Sequence, residues 1–175
     1  MKRLYFAASL AFAFLLVLFA LRPLPPVVAA GSDPAITLDA SNAGPRELEE
    51  QTQRSIVRDY GRAWNTLQWS LANDDAGALQ QYFVGVAKDK FSQAVAEQKQ
   101  SGVRVRYQVR SHALQVLFYS PEGSAIEARD TAQLEMEVLD GGKVVHRESL
   151  TQPYLVLFSP AEDRWKVRLL EALPK

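Results

Sequence analysis

The spacing of apolar residues changes character along this chain, and each change marks a different element. From Leu4 to Leu21 the residues contain neither a charge nor a proline. As a helix this run would extend roughly 27 Å, close to the hydrocarbon thickness of a bilayer. Four prolines (Pro23, Pro25, Pro26 and Pro34) then punctuate the stretch up to Gly44, which predicts a Pro-rich linker over 22–44. From Pro45 the apolar residues Leu48, Ile56, Val57, Tyr60, Ala63, Trp64, Leu67 and Leu71 recur at three- and four-residue intervals, the mark of an amphipathic helix. Pro45 suits its first turn, and Asn73-Asp74-Asp75 suits its end. A short helix over Ala76–Phe83 and a longer one over about Val84–Gln100 follow, the latter closed by Gly102.

After Gly102 the period drops to two. Val103, Val105, Tyr107 and Val109 alternate with Arg104, Arg106, Gln108 and Arg110, and the phase slips near Ser111-His112 before Leu114, Val116 and Phe118 resume it. Such a slip predicts a bulge. Ile126, Ala128, Ala132, Leu134, Met136 and Val138 form the clearest half-buried strand, and Asp140-Gly141-Gly142-Lys143 reads as a hairpin turn. A strand over Val144–Phe158 and a last one beginning at Trp165, expected to be buried, complete the chain. Helices followed only by strands predict an α+β domain over 45–175, with N-terminal helices packed on a curved antiparallel sheet.

The leading apolar run has two readings. It is a retained transmembrane anchor, or a secretory signal cleaved after Val28-Ala29-Ala30. Its length and the distance to Ala30 favour the anchor. Lys2 and Arg3 precede the run and Arg22 alone follows it, so the positive-inside bias places the domain on the extracytoplasmic side in either case. Cysteine is absent, which removes disulfides, thiolate metal sites and a lipid-attachment cysteine. The formal charge is 0, and setting aside Lys2, Arg3 and Arg22 leaves 17 basic against 20 acidic residues. That balance gives no footprint for nucleic acid.

Three segments resemble the nuclear transport factor 2-like superfamily, the cone-shaped α+β fold also used by ketosteroid isomerases. They are Val57-Arg58-Asp59-Tyr60-Gly61-Arg62-Ala63-Trp64, Asp75-Ala76-Gly77-Ala78-Leu79-Gln80-Gln81-Tyr82-Phe83 and Asp163-Arg164-Trp165-Lys166-Val167-Arg168-Leu169-Leu170. Within that superfamily, Tyr107 to Trp165-Lys166-Val167 is similar to the IMS-type domain of cyanobacterial and plastid division proteins. The superfamily holds enzymes, ligand carriers and assembly modules, so the resemblance implies a fold and leaves the function to the site.

In the enzymes of that superfamily an Asp, His or Tyr projects from the sheet into the cone. Asp130 is the one candidate catalytic residue, since it interrupts an apolar strand face between Ala128 and Ala132. Buried there, it would serve as a general base. The competing reading is a bulge or solvent access at that point, or an arginine partner. His112 and His146 are expected to be exposed strand residues, and no metal or cofactor motif is present. Arg104, Arg106 and Arg110 form a basic stripe that guards a strand face or meets an anionic partner. Tyr60, Trp64, Phe91, Tyr107 and Tyr154 line a pocket if the cone is hollow, and form core otherwise.

These features predict a non-enzymatic, tethered or exported binding module. Tyr154–Phe158 is apolar on both faces, so a homodimer or a protein partner is expected through the sheet. The alternatives are a small ketosteroid isomerase-like enzyme using Asp130 and a carrier of a small apolar ligand.

Overall fold

The computed structural model describes residues 34–174. The expected anchor over Leu4–Leu21 and the candidate cleavage point at Ala30 lie outside the described residues. No helix among the described residues is long and apolar enough to cross a membrane.

The elements in order are β1 (Ala35–Asp39), α1 (Glu50–Asn73), a 3₁₀ turn (Gly77–Gln81), α2 (Gly85–Ser101), β2 (Val103–Tyr119), β3 (Ile126–Asp140), β4 (Lys143–Ala161) and β5 (Arg164–Ala172). The five strands form one sheet in sequence order, and α1 and α2 pack on it. Three expectations are corrected here. The sheet is mixed, because β1 runs parallel to β2 with Ile36 opposite His112 and Leu38 opposite Leu114. The segment expected to be linker through Gly44 therefore contains a sheet strand. Pro45 is also not in a helix: it forms an isolated bridge with Tyr119, and α1 starts at Glu50.

Helix α1 buries Ile56, Tyr60, Ala63, Trp64, Leu67 and Leu71, the residues whose spacing marked it. It stops at Asp74, which adopts a left-handed conformation and donates its N–H to the Ser70 carbonyl. Gly102 ends α2 in the same way, with φ +75° and an N–H bonded to Gln98. Gln98 itself joins three elements. Its amide nitrogen donates to Leu71 O at 3.1 Å, and its amide oxygen accepts from Val105 N at 2.6 Å.

On the sheet face under the helices lie Leu114, Val116, Ile126, Ala128, Ala132, Leu134, Val156, Phe158 and Val167, all buried. The phase slip in β2 is a bulge between Val109 and Ser111, and a second bulge follows between Val116 and Phe118. The first lets Tyr107 and Val109 face the same side as His112 and Leu114. Phe118 lies beyond the second bulge and is exposed, so it does not continue the buried face. Trp165 is only half-buried: it packs at the core's margin with its ring 6.4 Å from Tyr119. Its backbone N–H is fixed by Asp59, whose carboxylate accepts it at 2.9 Å.

Candidate functional site

The helix-covered centre of the sheet holds a polar cluster built from three elements. Asp130 in β3 faces inward, flanked across the sheet by Leu114 in β2 and Tyr154 in β4. His112 in β2 sits opposite Ala132, one diagonal step from Asp130. Tyr60 reaches down from α1. Its hydroxyl donates to Asp130 Oδ2 at 2.8 Å, and His112 Nδ1 lies 2.7 Å from the same oxygen. With Asp130 accepting both bonds, Nδ1 carries the imidazole proton.

All three side chains are closed off from solvent: residue exposure is 0% for Asp130, 0% for Tyr60 and 1% for His112. Aromatic rings complete the enclosure. The Trp64 and Tyr60 ring centroids each lie 5.0 Å from His112, Tyr154 lies 5.7 Å from Trp64, and Phe158 lies 5.4 Å from Tyr60. Burial, reinforced by the neighbouring Asp130 charge, pushes the Tyr60 hydroxyl well above the usual phenol range, so it remains a donor. The Tyr154 hydroxyl is raised as well, first by burial and then by Tyr107 and Asp130.

Asp130 is thus neither bulged nor paired with arginine. The histidine expected to be exposed, His112, is one of the most buried polar residues in the domain. His146 is exposed, with its imidazole 3.6 Å from Glu148. Among the expected pocket residues, Tyr60, Trp64 and Tyr154 gather around His112, and Tyr107 is coupled to them through Tyr154. Phe91 is elsewhere, stacked edge-on with Phe83 at 5.3 Å. Asp130 Oδ1 and His112 Nε2 are buried without a hydrogen-bond partner. Each such group costs about 1–3 kcal/mol. Among the described residues no group of acidic and histidine side chains could hold a metal ion.

The three arginines of the basic stripe are paired within the domain, Arg104 with Asp74, Arg106 with Glu137 and Arg110 with Glu135. Glu137 is buried, with 3% exposure. It accepts Arg106 Nε at 2.7 Å on one oxygen and Arg147 Nε at 2.8 Å on the other. Burial alone would raise its pKa. The hydrogen bonds and charges of the two arginines outweigh that and hold it below the usual carboxylate range. The signal for this triad was present in the alternation of glutamates in β3 against arginines in β2, once the register is known.

No protein-family model matches the chain, and no curated protein matches it. Solved structures do. The intermembrane space region of the chloroplast protein ARC6 superposes with a TM-score of 0.61 at 16% identity, covering 75% of this chain and 100% of that one. A periplasmic fragment of TraM matches with a TM-score of 0.51 at 12% identity, covering 70% of this chain and 98% of that one. At those identities the likeness is one of fold. The domain shares its α+β fold, helices packed on one sheet, with that chloroplast intermembrane-space region, the type that the sequence resembles.

Proposed function

We propose that this domain is a non-enzymatic, extracytoplasmic binding or assembly module that engages a protein partner, a second copy included, through the solvent face of its sheet. The observation that carries this reading is the state of Asp130. A general base must come within about 3 Å of the proton it removes. Asp130 is fully enclosed, and one of its oxygens already binds Tyr60 and His112. A second observation names the surface. Leu155 and Leu157 turn away from the helices and are only half-covered, beside half-covered Leu169. Leu117 and Phe118, near the end of β2, are 43% and 40% exposed. The similar folds from an intermembrane space and a periplasm support an extracytoplasmic setting, as does the leading apolar run.

The test is the assembly state of the full chain in detergent micelles, measured by light scattering with Leu155→Glu and Phe118→Glu. A wild type larger than one chain, reduced to a folded monomer by either variant, is the expected result. A wild type that stays monomeric at high concentration and binds no protein removes the sheet-face reading.

The enzyme reading keeps one specific observation: Asp130 Oδ1 and His112 Nε2 point to no protein partner. It requires the aromatic enclosure to open to a substrate. Loss of a measured isomerase-type turnover in Asp130→Asn would establish it.

A further inference from the structure

Strand β1 ends the sheet, so its outer edge pairs with no other strand among the described residues. Beside that edge runs α1, and between them lie two hollows of about 370 and 320 Å³ that share Val57 and Arg58. One is bounded by Leu38 and the Glu50–Arg58 part of the helix, the other by Ile36 and the Val57–Asn65 part. Strand and helix therefore run antiparallel along one continuous groove. Its floor is apolar, from half-covered Ile36, Leu38 and Val57. Its helical rim carries Arg54, Arg58 and Arg62, four residues apart, against the single carboxylate of Glu50.

We infer that this groove is a docking site for an extended acidic peptide of a partner protein, added as a strand to the open edge of β1. Three features converge on that occupant. A free strand edge offers backbone hydrogen bonds, which an extended chain satisfies in full. The inward side chains of an added strand fall between β1 and α1, where the apolar floor covers their stems. Finally, the spacings agree. Arginines four residues apart on a helix are separated by about 6 Å along its axis. Alternate residues of a strand are separated by about 6.6 Å. Acidic side chains at every second peptide position therefore meet successive guanidinium groups. Arg54 and Arg62 are exposed and available for this exchange. Arg54 is 67% exposed, and its pair with 80%-exposed Glu50 is a weak surface contact. Arg58 is committed to buried Asp59 through hydrogen bonds of 2.8 and 3.0 Å, and adds its 47%-exposed charge to the rim without leaving that partner. This surface is separate from the sheet face proposed above, and the two stand or fall independently.

Selection of displayed random peptides on the full chain in detergent micelles tests the inference. The expected winners carry Asp or Glu at alternate positions with apolar residues nearby. Measured by fluorescence anisotropy, they should weaken about tenfold or more in an Arg54→Glu/Arg62→Glu variant and in high salt. N-methylation of alternate peptide amides should abolish binding, which a purely electrostatic contact would not show. Circular dichroism confirms that the variant is folded, and Arg62→Gln gives a milder check if it is not. Failure to enrich any acidic alternating peptide overturns the inference, including the case in which the chain's own N-terminal segment fills the groove. Binding that is indifferent to the arginine variants or to N-methylation overturns it too.

Discussion

Strand β3 buries two carboxylates seven residues apart, and the domain treats them in opposite ways. Asp130 faces the helices and is satisfied by a phenol and an imidazole. Glu137 falls on the other face of the strand and is satisfied by two arginines. An odd separation in a strand guarantees opposite faces. Under the helices a guanidinium would have to surrender its hydration, so donors built on aromatic rings serve better and contribute packing as well. On the outer face Arg106 and Arg147 keep about half of their side-chain surface in water while their guanidinium groups cover Glu137. Burial of an acid is thus a local problem, and its solution depends on what the adjoining layer is made of.

The sharpest way to break this comparison is to remove Asp130. Asp130→Ala leaves the Tyr60 hydroxyl and His112 Nδ1 buried without an acceptor, and should cost about 3–5 kcal/mol in urea unfolding. A loss under about 1 kcal/mol would mean that the cluster contributes little to the fold. Tyr60→Phe deletes one donor and keeps the ring, so a loss of about 1.5–3 kcal/mol is expected, with little dependence on salt. Glu137→Gln should cost only about 1 kcal/mol, because its partners are half-solvated, and added salt should narrow the gap to wild type. A salt response at Asp130 or none at Glu137 would reverse the assignment of neutral and ionic solutions.

The smallest effect concerns pH. The Glu137 carboxyl is held below its usual range in the folded state. Its contribution is therefore fully present above the unfolded carboxylate value of about 4.3 and disappears as pH falls through the lower folded value. The stability difference between wild type and Glu137→Gln should be constant near neutrality and shrink in acid. A difference that grew on acidification would contradict the depressed value.

Much of this architecture was legible because hydrophobic period reports burial directly. α1 and β3 were readable from seven and six apolar positions respectively, and the Gly141-Gly142 hairpin from its glycines, whose φ values are +54° and +82°. β1 was hidden. Its Ile36–Leu38 alternation spans five residues between Pro34 and Gly44, too short to outweigh the surrounding linker composition. Its parallel pairing depends on a partner about 75 residues away. Asp130 stood out because it broke an apolar face, yet its partners could not be read. Tyr60 lies 70 positions earlier and is indistinguishable in sequence from an ordinary core tyrosine. His112 was misplaced because the exact position of the bulge decides which side of the sheet it takes.

That bulge also marks where the sheet absorbs an extra residue. Between Val109 and Ser111 one strand carries a residue that its neighbour does not match. Deleting Arg110 would restore simple alternation and leave His112 on the helix-covered face, at the loss of the Arg110–Glu135 pair and of the local bend. A residue inserted at Gly141-Gly142 would lengthen the exposed tip between β3 and β4. Two places in one sheet therefore forgive opposite changes. At the hairpin tip the domain can accept insertions, while at the bulge it can lose one residue and keep the facing of the side chains beyond.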